Sequence, residues 1–130
     1  MSEKRRGGCL CGDVTYEISG NVSDAIACHC RQCAKTSGHF AVNFTCAPDQ
    51  IEIADRGSLT WFRSSDDAER GFCNRCGSSL FWRSESEPDF YVAAGSLTPP
   101  TGIQLGQHIF VGSKSDYYGL DDDLPKSETV

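Results

Sequence analysis

The chain has 130 residues, enough for one domain with a modest core of its own. Five Lys and Arg oppose four Asp and Glu in residues 1–46, and seven oppose fourteen in 47–130, giving +1 and −7 and a net charge of −6. That balance lacks the basic stripe of a nucleic-acid binder, and no apolar run approaches the ~20 residues of a bilayer span.

In chain order, Lys4-Arg5-Arg6 reads as a solvated tail after an opening without an apolar signal segment. Val14, Tyr16 and Ile18 alternate with Thr15 and Glu17, which predicts a half-buried strand closed at Gly20-Asn21. Ala25–Cys28 predicts a second strand, and Arg31–Ser37 a short helix stopped by Gly38. Phe40, Val42, Phe44 and Cys46 share one face of the next strand, which makes Cys46 core filling and not a ligand. Further strands are expected at 50–54, 59–63, 79–83, 90–94 and 107–111, with Asp121-Asp122-Asp123 as a solvated end. No helical period lasts beyond two turns, so the fold class is mainly β, with short strands and one or two short helices. One domain over residues 1–130 is expected, its core about 7–125 between short disordered tails.

The remaining seven cysteines fall in three clusters. In a chain without a secretory signal they point to a reducing, cytoplasmic setting and to metal more than to disulfides. Cys9 and Cys11, and Cys73 and Cys76, are each followed by glycine (Gly12, Gly77), which accepts the positive φ of a thiolate knuckle. Pairing the two gives a closed four-thiolate zinc site that ties the N-terminus to mid-chain. Cys28, Cys30 and Cys33 then remain as three ligands with an open fourth position, the arrangement of a catalytic or exchange-competent zinc. The alternative, joining this trio to one outer pair, leaves two thiols over. His29 points away from such a metal, as a surface imidazole or behind the ligands, with a proton-shuttle role as the lesser alternative. Arg31 and Lys35, one helical turn apart, face the cluster as anion binders or charge offsets, and His39 and His108 are taken as structural.

These motifs resemble the glutathione-dependent formaldehyde-activating enzyme family, which includes centromere-protein-V-like members. The resemblance is carried by Gly8-Cys9-Leu10-Cys11-Gly12, Cys28-His29-Cys30 with Cys33, and Phe72-Cys73 with Cys76-Gly77-Ser78. Ala94-Gly95-Ser96-Leu97, His108-Ile109-Phe110-Val111 and Asp123-Leu124-Pro125 extend it across residues 8–125. It implies several coiled antiparallel β-sheets similar to methionine-R-sulfoxide reductase B, and a structural zinc on Cys9, Cys11, Cys73 and Cys76. It also implies a looser second zinc on Cys28, Cys30 and Cys33. The implied activity is that of a carbon–sulfur lyase acting on a thiol–aldehyde adduct such as S-hydroxymethylglutathione, with glutathione as the thiol. The competing expectation is a non-catalytic, zinc-stabilised module that binds a protein partner; neither reading calls for nucleic acid or membrane.

Overall fold

The computed structural model describes residues 4–130. Three strands, β1 (Lys4–Gly8), β2 (Val14–Ser19) and β5 (Ile51–Asp55), form an antiparallel sheet in the order β1-β2-β5. The larger sheet uses β3 (Ala25–Cys28), β4 (Ala41–Cys46), β6 (Leu59–Arg63), β7 (Ala68–Cys73), β8 (Ser79–Ser84), β9 (Phe90–Ala93) and β10 (Leu105–Ile109). Their order is β10-β3-β4-β9-β8-β7-β6, with β10 and β3 parallel and the other pairs antiparallel. The one α-helix among the described residues, α1 (Arg31–Ser37), joins β3 to β4. The mainly β expectation holds, with two sheets, the larger of them mixed.

Alternation produces the core. Val14, Tyr16 and Ile18 of β2 bury one face of the small sheet against Phe44, Leu80 and Val92 of the large one. Cys46 is 4% exposed within this cluster, and burial pushes its thiol up to about 11, so it is core as its strand face predicted. At the end of α1, Gly38 takes the left-handed conformation (φ 86°) and its N–H returns to the Ala34 carbonyl.

Three expectations of the fold need correction, and one strand, β7, was not foreseen. Lys4-Arg5-Arg6 is not a solvated tail but part of β1. Lys4 and Arg6 both bond the Glu17 carboxylate (3.1 and 2.9 Å), while Arg5 donates to the carbonyls of Thr101 and Gly20. The basic run hides a strand because its charges, though exposed to water, are offset by Glu17 of the paired strand. β7 is a full strand: Arg70-Gly71 breaks its alternation, and the register shifts between Gly71 and Phe72. The last strand begins and ends two residues earlier than expected, at Leu105–Ile109, and Val111–Ser113 is a 3₁₀ turn. Asp121-Asp122-Asp123 is not simply a solvated end, since Asp122 bonds both His108 and Lys126.

Candidate functional site

The β1–β2 and β7–β8 turns approach one another from the two sheets and bring Cys9, Cys11, Cys73 and Cys76 together. Their sulfurs all lie within 4.8 Å of one another. Thiolates bound at ~2.3 Å in a tetrahedron stand about 3.8 Å apart, and the Cys9–Cys11 and Cys11–Cys73 sulfurs are separated by 3.6 and 3.7 Å. Both glycines adopt positive φ, 85° at Gly12 and 80° at Gly77, with nothing occupying the space a Cβ would fill. The turns thereby aim donors at sulfur: the Val14 N–H lies 3.3 Å from Cys9 Sγ and the Ser78 hydroxyl 3.2 Å from Cys76 Sγ. The hydroxyl, aided by backbone N–H groups of Cys11 and Ser78, lowers the Cys76 thiol to about 5. Donor type, number and spacing all fit zinc.

Cys28 ends β3, Cys30 caps α1 and Cys33 lies in its first turn. Cys30 Sγ accepts the Cys33 N–H at 3.3 Å, which folds the loop so that the three sulfurs also lie within 4.8 Å of one another. Among the described residues no fourth His, Cys, Asp or Glu joins them. Three thiolates fit a metal with one position left over. Cys33 is held well below the usual thiol range, first by sharing the Cys28 proton and then by Cys30 and Arg70; Cys28 is correspondingly raised.

The trio opens onto a cavity of about 1010 Å³. Ile26, Ile109 and Phe110 give it an apolar wall, the cross-strand neighbours Trp82 and Tyr91 pack edge to face along it with centroids 4.9 Å apart, and Arg31 and Arg70 supply positive charge. Arg31 donates to the Ser115 hydroxyl at 2.6 Å. Lys35 is exposed and does not line the cavity, contrary to the helical-spacing expectation. The second cation is Arg70 of β7, which no local motif marked; only the pairing of β7 with β8 brings it beneath α1. Phe110, also missed, holds a left-handed backbone (φ 57°) at the cavity wall, a strained choice for an aromatic residue.

His29 turns away from the sulfurs, as expected, and is 1% exposed; its ring meets Tyr118 and His108. His39 is exposed and bonds the Tyr117 hydroxyl at 2.5 Å.

The fold is mainly β and carries one closed and one open thiol group. Residues 4–113 match the family described as glutathione-dependent formaldehyde-activating enzyme, and the chain belongs to that family. Among curated relatives, an uncharacterized lyase of Schizosaccharomyces pombe is 22% identical over 86% of this chain and 82% of its own length. Proteins named for glutathione-dependent formaldehyde activation in Podospora anserina and Aspergillus oryzae are 32% and 34% identical over 64% and 63% of this chain. The aligned region spans less than half of those two proteins, 41% and 45%. A crystal structure of a Rhodobacter sphaeroides protein superposes with a TM-score of 0.62 at 24% identity, covering 72% of this chain and 88% of that one, which is a likeness of fold. No helix among the described residues is long and apolar enough to cross a membrane.

Proposed function

We propose that the protein is a carbon–sulfur lyase acting on a thiol–aldehyde adduct of the S-hydroxymethylglutathione type, working in the reducing cytoplasm. Cys9, Cys11, Cys73 and Cys76 hold a structural zinc, and Cys28, Cys30 and Cys33 hold a second, exchangeable one. The observation that carries this reading is the contrast between the two groups: one closed by four thiols, the other three-membered and open to a cavity large enough for a tripeptide thiol.

When bound at the open group, zinc supplies a Lewis-acid position beside the cavity. The chain's own residues bind, orient and exclude water. Arg31 and Arg70 take the carboxylates of the thiol substrate, and the Trp82–Tyr91 wall limits water at the reacting carbon. In the cleavage direction the carbon–sulfur bond breaks, its electron pair stays on sulfur, and the hydroxymethyl O–H proton leaves as the carbonyl forms. Sulfur later takes up a proton, so atoms and charge balance without a redox partner.

Mixing the purified protein with formaldehyde and glutathione and following adduct exchange by NMR tests the proposal. Exchange well above the buffer rate, with two zinc ions per chain, is the expected result. Exchange at the buffer rate with two zinc ions bound rejects this substrate pair. A single tightly held zinc with no exchange favours the non-catalytic binding module.

A further inference from the structure

His29 and His108 are the two most deeply buried polar side chains described, 1% and 2% exposed, and nothing in the proposed reaction uses them. They belong to one unbroken chain of hydrogen bonds. The Tyr118 hydroxyl is 2.6 Å from His29 Nδ1, His29 Nε2 is 2.9 Å from His108 Nδ1, and His108 Nε2 is 2.8 Å from Asp122 Oδ2. Lys126 closes the far end at 3.0 Å from Asp122 Oδ1.

The polarity of this chain follows from its acidic end. Asp122 is held down at about 2, first by His108 and then by Lys126, so at neutral pH it only accepts. His108 Nε2 therefore carries the proton. In a neutral ring Nδ1 is then an acceptor, so His29 donates from Nε2, and His29 Nδ1 accepts the Tyr118 O–H. Burial and then Tyr117 raise Tyr118, which keeps that hydroxyl a donor. The opposite direction needs a second proton, and a full charge, on the buried His108 ring.

We infer that Asp122 and His108 are positioning residues that act through His29, fixing the Cys28-His29-Cys30 turn so that its two thiols converge with Cys33. The backbone supports the same clamp: the His29 N–H bonds the Ile109 carbonyl at 3.0 Å, and β10 runs parallel to β3 with Ile109 opposite Cys28. The Phe40 ring, 4.6 Å from His29 between centroids, closes the other side. The two thiols flanking His29 are thus tied, through an imidazole of fixed tautomer, to the segment around residue 122. That the thiols converge on a metal rests on the function proposed above; the tautomer chain does not.

Asp122 is partly exposed, so its variants should fold, and two of them separate the relay from the Asp122–Lys126 ion pair. Asp122→Ala removes both. Asp122→Asn loses the charge facing Lys126 but keeps an oxygen for the His108 N–H. Long-range proton–nitrogen NMR of the histidine rings and titration with Co²⁺ are the readouts. In the wild type both His29 and His108 are expected to carry their proton on Nε2 alone, and two Co²⁺ to bind. D122A is expected to give mixed His108 tautomers and to weaken the second Co²⁺ about 10- to 100-fold, the range for partners behind metal ligands. D122N is expected to recover most of both. A wild-type His108 protonated on both nitrogens, or unchanged tautomers and second-Co²⁺ affinity in D122A, overturns the relay. D122N as damaging as D122A overturns it in favour of the ion pair. A wild type binding one Co²⁺ rejects the open metal site instead, and the relay is then decided by the ring nitrogens of wild type, D122A and D122N.

Discussion

The Arg70 guanidinium lies 3.7 Å from the Cys33 sulfur, and Gln32 of the same helical turn holds it there with Oε1 at 3.1 and 2.8 Å from Nε and Nη2. Two bonds to one acceptor favour the orientation that keeps the planar cation beside the open thiol group. It offsets thiolate charge and keeps a face toward the cavity. Arg70→Met is expected to raise KM for the glutathione adduct about tenfold, ~1.4 kcal/mol or one charge-assisted hydrogen bond. Arg70→Lys should recover little, because an ammonium cannot make both contacts. Steady-state kinetics of the two variants check this.

The two thiol groups should differ in what their loss does. Cys73→Ser opens the group that joins the sheets, and with it the folding free energy of a structural zinc, on the order of 10 kcal/mol in small zinc peptides. It is expected to leave aggregated or unfolded protein. Cys30→Ser leaves the core untouched and should shift the melting temperature by only a few degrees while removing one zinc and the activity. Metal analysis alongside circular-dichroism melts distinguishes the outcomes; equal loss of fold in both variants contradicts the division of roles.

Gly7 leaves no room for a side chain. A Cβ there would stand 2.4 Å from the Ser96 carbonyl oxygen and 2.4 Å from the Tyr16 hydroxyl, which itself bonds Ser96 at 2.6 Å. Gly7→Ala must push β1 away from β2 or break that bond, so a loss of about 1–3 kcal/mol is expected in chemical denaturation. Gly12→Ala meets no atom but is strained at φ 85°, and should cost less.

Glu17 accepts from Lys4 and then Arg6, and both lower its pKa. A carboxylate lowered in the folded state contributes stability above its unfolded pKa of ~4.3 and loses it as pH falls through the lower folded value. The stability difference between wild type and Glu17→Gln should therefore be constant near neutrality and shrink below about pH 4. It should also shrink with added salt, because the pair is solvent-accessible. A difference independent of both pH and salt would show that the ion pairs contribute nothing.

Phe44 is fully buried where β4 meets the small sheet. Phe44→Ala is expected to cost about 3–5 kcal/mol, measured by urea unfolding.

Much of this protein is local and therefore legible in the chain itself. Alternation at Val14, Tyr16 and Ile18 announces a strand because side chains of period two reach one face. Cysteine spacing with glycine after each outer pair announces knuckles because the required backbone conformation is a property of two or three residues. Even the end of α1 follows from Gly38. Tertiary structure decided what depends on partners far along the chain. Lys4–Arg6 became a strand through Glu17, and Arg70 reached Cys33 only through the register of β7 with β8. Asp122 was drawn from an acidic run into a chain of buried histidines that ends beside the thiols. Hydrogen bonds across 79 or 14 residues leave no periodic trace, since their energy is gained only after the intervening chain has been ordered. The thiols were therefore readable from composition and spacing, whereas the groups that hold and neutralise them were not.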